Sequence, residues 1–236
     1  MDFPHLSCRR FQDGRWTAME DMVAPETPVT LRWAGRPEAI HLSAYAVDLP
    51  SLALGHTLLH CCADGELPEI VSQSGFDLTL APRPGARPTP RPWRGSLSPQ
   101  TVLAAMATLL DAPGFWVETG CFHRAGLWDP AEGRFLVTVE DIPRHNCVDR
   151  LAGWSVQTGR SLTDLALCIS ARTTSSLMEK IVRLGTPVVC TRAAPTSLGL
   201  ELARQHGITL AAYVKPTRLS VFHDPEQRIA GGPDHA

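Results

Sequence analysis

The chain has 236 residues, of which 44% are hydrophobic and 19% charged, and its formal net charge is −2 at pH 7. This length suffices for one good core, so we expect one domain with an additional lobe. The charge balance excludes a general electrostatic attraction to nucleic acid or to an anionic membrane surface. No apolar run approaches the roughly 20 residues that span a bilayer, and residues 1–16 lack the apolar stretch of a secretory signal. Seven scattered cysteines are typical of a reducing compartment, and we expect a cytoplasmic protein.

The first part of the chain predicts a lobe rich in β-strands. Two β-prone stretches around a turn predict a hairpin over residues 28–44. Leucines at helical spacing predict an amphipathic helix within residues 48–65, with Gly65 as its stop signal. Two short strands are expected over residues 68–80.

The segment over residues 81–96 interrupts this pattern with five prolines and four arginines. Because proline lacks a backbone donor, the segment can form neither a helix nor a central strand. Its composition is typical of a solvated, partly disordered connector. The alternative is a basic arm that touches a partner or an anionic ligand.

The second part of the chain predicts an α/β core. A helix is expected after Ser98, a capping residue that is followed by Pro99. From Arg134 onward strands alternate with helices, and such crossovers require a mostly parallel or mixed sheet that is covered on both faces. We therefore predict an α/β/α sandwich over residues 98–236 and a smaller lobe with a β-hairpin over residues 1–97.

Three strand-to-helix junctions are rich in polar groups, at residues 140–146, 170–176 and 191–197. Ligands of such sheets bind at the carboxyl ends of the strands, where free N–H groups and positive helix ends favour an anion. Three junctions in succession predict a ligand that carries phosphate. The candidate ligand residues at these junctions are Arg144, His145, Asn146, Arg172, Thr196 and Ser197.

Two cysteines lie two residues from a histidine, each near an expected helix start. Cys121 precedes His123 and Cys147 follows His145, and a helix N-terminus or an imidazolium lowers the pKa of a thiol. Each cysteine is either a reactive thiol or a small packing residue. The four side chains could also supply a zinc site, but their spacing is unlike that of structural zinc motifs, and we expect no metal. Four other thiols are expected to pack in the protein: Cys61, Cys62, Cys168 and Cys190.

Five segments in a fixed order carry a resemblance: TGCFHRAGLWD, EDIPRHNCVDRLAG, ISARTTSSLMEKIVRLGTPVV, APTSLGLELARQHGITLAAYVK and RLSVFHDPEQRI. Through them the chain resembles the FdhD family of formate dehydrogenase accessory sulfurtransferases. The resemblance implies a cytidine-deaminase-like core that binds molybdenum bis(molybdopterin guanine dinucleotide), or the guanosine diphosphate part of this cofactor. It also implies a homodimer that passes sulfur from a cysteine desulfurase to the cofactor before the cofactor enters formate dehydrogenase.

The resemblance places a cofactor-binding segment near the C-terminus. Lys215 and Arg218 can neutralise a pyrophosphate there, and the ring of Tyr213 can face a base. At the first junction, Glu140 and Asp141 could bind a guanine edge or cap a helix. The whole segment consists of Tyr213, Val214, Lys215, Pro216, Thr217 and Arg218.

The chain departs from the family at the sulfur-carrying loop. Family members have a Cys-x-x-Cys motif where this chain has residues 81–96, and the motif occurs nowhere in the sequence. The first hypothesis is a chaperone that binds the cofactor and transfers sulfur poorly or not at all. The second is a sulfurtransferase whose nucleophile has moved to Cys121. The third is a regulatory or scaffold protein that grips a partner with its basic arm.

Overall fold

The computed structural model of the chain describes residues 3–230. No helix in this range is long and apolar enough to cross a membrane. The helices are α1 (Leu49–His60), α2 (Pro99–Asp111), α3 (Phe115–Thr119), α4 (Arg144–Thr158), α5 (Ser175–Leu184) and α6 (Ser197–Gln205). The strands are β1 (His5–Gln12), β2 (Arg15–Met22), β3 (Thr27–Trp33), β4 (Ile40–Ala44), β5 (Glu66–Ser74), β6 (Asp77–Pro84), β7 (His123–Asp129), β8 (Arg134–Asp141), β9 (Ala166–Ile169), β10 (Val188–Thr191), β11 (Thr209–Lys215) and β12 (Arg218–His223).

The largest sheet has six strands in the order β12-β11-β10-β9-β7-β8. Strands β9, β10 and β11 are parallel, whereas β7 and β12 run antiparallel to their neighbours. Helix α2 covers one face of the sheet, and α4, α5 and α6 cover the other. The predicted α/β/α sandwich with a mixed sheet is therefore confirmed, whereas the likeness to cytidine deaminase and the boundary at residue 97 stay predictions.

Both faces of this sheet are apolar, and alternation along each strand decides which helices a side chain meets. In β9, Ala166 and Cys168 pack under α2, whereas Leu167 and Ile169 pack under the helices of the other face. All four residues are at most 2% exposed. Burial of one leucine or isoleucine side chain contributes about 1.5–3 kcal/mol, so both layers of helices stabilise the sheet.

A second sheet, in the order β4-β3-β6-β5, forms the lobe together with α1. The hairpin, the helix and the two following strands predicted for the lobe are all present. Helix α1 ends at His60, before Gly65, because the N–H groups of Cys61 and Cys62 both donate to the carbonyl of Thr57 and close the last turn.

The Pro/Arg-rich segment is attached to the core. Beyond Leu80, β6 pairs only with β5, so its prolines occupy a part of the strand that has one neighbour. The backbone N–H of Arg91 donates to Thr163 Oγ1 at 2.7 Å, and the Thr163 hydroxyl donates to the Arg91 carbonyl at 2.8 Å. The guanidinium of Arg228 lies 6.0 Å from the centre of the Trp93 ring. The segment is thus solvated over most of its length, as its composition predicts, and these contacts attach it to the sandwich.

Strands β1 and β2 form an N-terminal hairpin that was not predicted. Asp13 and Gly14 form its turn with φ values of 51° and 78°, as a two-residue hairpin turn requires. The Asp-Gly dipeptide was the signal for this turn. All residues of β1 are exposed, and the rings of Phe11 and Trp16 lie 5.2 Å apart near the turn.

The lobe and the sandwich meet where α1 crosses α4, and two glycines permit the crossing. A Cβ atom at Gly55 would lie 1.6 Å from the carbonyl oxygen of Asp149. A Cβ atom at Gly153 would lie 1.9 Å from the carbonyl oxygen of Ser51. Because no side chain separates the two backbones, the position of α4 is fixed by direct contact with α1.

We expect Gly153→Ala to destabilise the fold by about 1–3 kcal/mol or more, because the added methyl group must push the two helices apart. Gly85→Ala is the matched control, since a Cβ atom there would meet only side-chain atoms of Leu67 and Arg83. Urea denaturation measures the free energy of unfolding of both variants. Equal losses in the two variants would contradict a close crossing.

Candidate functional site

The carboxyl ends of β8, β9, β10 and β11 and the amino end of β7 lie along one edge of the large sheet. The loops there are joined by hydrogen bonds from Thr173 N to the Ala194 carbonyl at 3.2 Å and from Tyr213 N to the Ala193 carbonyl at 3.1 Å. The three predicted junctions and the C-terminal segment therefore converge. We name this region the strand-end edge, formed by residues 121–123, 141–146, 170–176, 191–197 and 213–218.

A buried ion pair fixes the first junction to the lobe. The side chains of Asp141 and Arg150 are 0% and 4% exposed, and Arg150 Nη2 lies 2.7 Å from Asp141 Oδ2. Arg150 also donates to the carbonyls of Tyr45, Val47 and Asp48, and Asp141 accepts the N–H of Tyr45. Burial raises the pKa of Asp141, and the guanidinium of Arg150 opposes that rise. The pair thereby holds the start of α4 against the loop that precedes α1.

Two further polar side chains of this junction serve the fold. Glu140 accepts the N–H groups of Phe115 and Trp116 at 3.1 and 2.9 Å. Of the two roles expected for it, binding a guanine edge and capping a helix, the structure shows the capping of a helix, α3. Asn146 is 4% exposed, and its amide donates to the carbonyl of Ser43 at 2.9 Å. This predicted ligand residue is therefore bonded to the lobe through its side chain.

Two histidines on the strand-end edge are held by serine hydroxyls. His123 Nδ1 lies 3.2 Å from Ser170 Oγ, and His145 Nε2 lies 3.3 Å from Ser176 Oγ. Burial lowers the pKa of both histidines, and nearby cations, among them Arg144, lower it further. Both rings are therefore neutral at pH 7, where each can donate one hydrogen bond and accept another.

The strand-end edge has an excess of unpaired positive charge. Arg144 is half-buried, and its Nε atom is buried without a hydrogen-bond partner among residues 3–230. Unpaired cations that are close together repel one another, and a bound anion relieves that repulsion. Of these cations, Arg192 was not predicted, although it directly follows β10. Five cations of the edge have no carboxylate within 4.0 Å in the described range: Arg144, Arg172, Arg192, Lys215 and Arg218.

Three helices begin at the strand-end edge and differ in their capping. No side chain caps α4 or α5, which begin after Pro143 and Thr174. Thr196 caps α6 by accepting the N–H of Gly199 at 3.2 Å, which leaves its hydroxyl proton free to donate. Ser197, the first residue of α6, is exposed. Helices α4 and α5 thus present free backbone donors and a positive helix end to an anion.

The predicted C-terminal segment forms the turn between β11 and β12 at this edge. Tyr213 has a φ of 53°, a conformation that costs a non-glycine residue about 1–3 kcal/mol and clusters at functional sites. Val214 is 1% exposed and packs under α2, so its side chain faces the core. The remaining four residues are exposed: Lys215, Pro216, Thr217 and Arg218.

Cys121 is exposed, but the prediction that it lies at a helix start is wrong. It follows the C-terminal end of α3, which Gly120 closes with a φ of 67°. The helix N-terminus that the sequence interpretation required beside Cys121 is therefore absent. Cys147 is buried with its Sγ 3.4 Å from the His123 carbonyl oxygen, and burial raises its pKa. The packing role is confirmed for Cys147. It is also confirmed for Cys168 in β9 and Cys190 in β10, which are buried as well.

A different set of side chains has the spacing of metal ligands. Ligand atoms of His56, His60 and Asp149 lie within 4.8 Å of one another, the one such group among residues 3–230. Lys180 Nζ lies 2.8 Å from Asp149 Oδ2, however, so an ammonium group already neutralises this carboxylate. Cys121, His123, His145 and Cys147, which the sequence analysis considered as a zinc site, do not form such a group among these residues.

A family model described as FdhD/NarQ matches residues 81–230. The chain belongs to the FdhD/NarQ family. It is 30% identical to a sulfur carrier protein FdhD from Chromobacterium violaceum over 250 residues, which cover 90% of this chain and 92% of that protein. It is 33% identical to a sulfur carrier protein FdhD from Thermoplasma acidophilum over 130 residues, and this match spans 55% of this chain and only 46% of the relative.

The fold is also found in a family member of known structure. The chain is similar to a Desulfotalea psychrophila protein, described as a formate dehydrogenase accessory protein, with a TM-score of 0.82 and 28% sequence identity. The match covers 97% of this chain and 100% of that chain, so it includes both the lobe and the sandwich.

We expect His123 and His145 to titrate below the ordinary value of 6.5, and Arg144→Gln to raise both pKa values because it removes a cation that disfavours protonation. NMR titration of the imidazole carbon-bound protons measures the effect. Arg204→Gln, at an exposed position on α6, is the matched control. Unchanged histidine pKa values in the Arg144 variant would contradict this account of the site's electrostatics.

Proposed function

We propose that this member of the FdhD/NarQ family binds the guanine dinucleotide form of the molybdenum cofactor at the strand-end edge and assists its sulfuration or its delivery to formate dehydrogenase or a related molybdoenzyme. The names of its relatives support this proposal, since they are sulfur carrier proteins and a formate dehydrogenase accessory protein. The observation that carries it is the group of unpaired cations beside two uncapped helix starts.

The distribution of these cations suits a ligand with more than one phosphate group. Arg144 and Arg172 lie where α4 and α5 begin, whereas Arg192 and Lys215 line a cavity beneath α2. A hydrogen bond to a charged group contributes about 1.5–3 kcal/mol, so a few such bonds to phosphate suffice for micromolar binding. The neutral rings of the two edge histidines add donors without adding further repulsion.

The sulfur-transfer half of the function rests on the exposed thiol of Cys121. The family's Cys-x-x-Cys motif is absent, and the segment in its place is attached to the core. The second candidate function is therefore sulfur transfer through Cys121. Cys121 lies two residues before His123, the first residue of β7, and it is exposed whereas Phe122 between them is buried. In this reaction the Cys121 thiolate takes the outer sulfur of a desulfurase persulfide and releases the desulfurase thiolate.

Guanosine diphosphate should bind the full chain in calorimetry, and Arg172→Gln should weaken binding about tenfold, a loss of about 1.4 kcal/mol. The affinity should also fall as salt rises, because the exposed guanidinium is screened. Arg204→Gln, which is exposed but distant from the loops of the strand-end edge along α6, should bind like the parent chain. Absence of binding at millimolar nucleotide would contradict the proposed function.

If Cys121 carries sulfur, a persulfide should form on the chain after incubation with a cysteine desulfurase and its cysteine substrate. Cys121→Ser should abolish this modification, and Cys8→Ser, at another exposed cysteine, should leave it unchanged. Mass spectrometry after alkylation measures both. Equal modification of the Cys121 variant would exclude this residue as the carrier.

A further inference from the structure

Two histidines lie on one face of α1, near its C-terminal end. His56 and His60 are four residues apart, and their ring centres are separated by 4.6 Å. Side chains at this spacing are neighbours on the surface of a helix. Histidines at positions i and i+4 of one helix hold zinc in proteins, because nitrogen atoms of both rings can reach the same cation.

The carboxylate of Asp149 in α4 completes this group. A Cβ atom at Gly55 would overlap the carbonyl of Asp149, so α4 lies directly against the residue that precedes His56. His56 Nδ1 lies 3.1 Å from Asp149 Oδ2, and ligand atoms of the two histidines and Asp149 lie within 4.8 Å of one another. Ligand atoms around a tetrahedral zinc ion lie about 3.3–3.5 Å apart, at bond lengths of about 2.0–2.2 Å. The spacing of the group is therefore close to that of a coordination sphere.

Asp149 has one carboxylate oxygen that the protein leaves unused. Lys180 Nζ lies 2.8 Å from Oδ2, which is also the oxygen that faces His56. The other oxygen, Oδ1, is buried and has no hydrogen-bond partner among residues 3–230. A buried acceptor without a partner destabilises the fold, and a bound cation relieves that cost. The ion pair with Lys180 therefore neutralises the carboxylate but leaves one oxygen available as a ligand.

We propose that His56, His60 and Asp149 form a binding site for zinc or a similar divalent transition-metal ion where α1 crosses α4. Imidazole nitrogens and a carboxylate oxygen suit this class of cation, and water completes the four ligands. The ammonium group of Lys180 repels the cation, so the site is weaker than a structural zinc site. A bound cation joins the helix of the lobe to a helix of the sandwich. The inference does not depend on the proposed function, since none of the three ligands belongs to the strand-end edge.

Two thiols beside the site are the alternative ligands, since Cys61 and Cys62 directly follow His60. Burial raises the pKa of Cys61, and it raises the pKa of Cys62 to about 11. Both thiols therefore keep their protons at pH 7, and a cation must displace a proton to bind either of them. Burial lowers the pKa of His60 to about 4, so this ring is neutral at pH 7. These differences favour the imidazole and carboxylate ligands over the thiols.

Calorimetry of the full chain with zinc chloride at pH 7 tests the site. The parent chain should bind zinc with a micromolar Kd, and His60→Gln should weaken binding about tenfold or more because it removes one ligand. His206→Gln is the matched control, since His206 is also an exposed histidine at the end of a helix. It should bind zinc like the parent chain. Absence of zinc binding by the parent chain, or equal affinities of the two variants, would overturn the proposal.

Cobalt(II) in place of zinc identifies the ligand atoms. Nitrogen and oxygen ligands give weak visible absorption bands, whereas a cysteine thiolate adds an intense charge-transfer band in the near ultraviolet. The parent chain and the double variant with Cys61→Ser and Cys62→Ser should give the same spectrum without that band. An intense band that the double variant loses would show that the two cysteines hold the cation, and the assignment to His56, His60 and Asp149 would fail.

Lys180→Gln separates ligation by Asp149 from a merely structural contact. Zinc binding should strengthen about tenfold in this variant, because the ammonium group that repels the cation is removed. Zinc at about 100 times its Kd should also raise the Tm of the parent chain by about 5–10 °C, since it binds the folded state. Circular dichroism measures the Tm and shows that each variant is folded. Weaker zinc binding by the folded Lys180 variant, or a Tm of the parent chain that zinc leaves unchanged, would contradict the proposal.

Discussion

The buried ion pair between Asp141 and Arg150 is the interaction on which the arrangement of the site depends. Its two charges are removed from water, and removal of one partner from such a pair typically costs about 3–5 kcal/mol. Arg150 extends the pair into the lobe through the carbonyls of Tyr45, Val47 and Asp48. Together with the glycine-mediated crossing of α1 and α4, the pair fixes the junction where α4 begins. Arg144 and His145 at this helix start are thereby held in position without being fully buried themselves.

The polar residues of the site fall into two groups that differ in what they contact. Asp141, Glu140 and Asn146 are bonded to the protein and position its elements. Arg144, Arg172 and the other edge cations have no acidic partner among the described residues, and their charge remains available to a ligand. The chain therefore keeps a group of cations without acidic partners although it lacks the family's Cys-x-x-Cys motif. Binding of a phosphate-bearing cofactor and transfer of sulfur are separable, and the structure supports the first more directly.

The sequence was sufficient for the alternation of strands and helices, because apolar periodicity and turn residues mark each element locally. It also located the three polar strand-to-helix junctions on one edge of the sheet, since parallel strands bring their carboxyl ends to the same edge. Local patterns could not show that Asn146 bonds to the lobe, because its partner Ser43 is distant in sequence. Strand β7 was missed, and with it the end of α3 at Cys121.

A crystal structure of the chain with guanosine diphosphate tests the central claim most directly. The account predicts that the diphosphate contacts cations of the strand-end edge, among them Arg144, Arg172 and Arg192. A nucleotide bound in the lobe, or against the Pro/Arg-rich segment over residues 81–96, would contradict it. A diphosphate that is held at the strand-end edge only by backbone groups, while the guanidinium groups of Arg144, Arg172 and Arg192 point to solvent, would also contradict it.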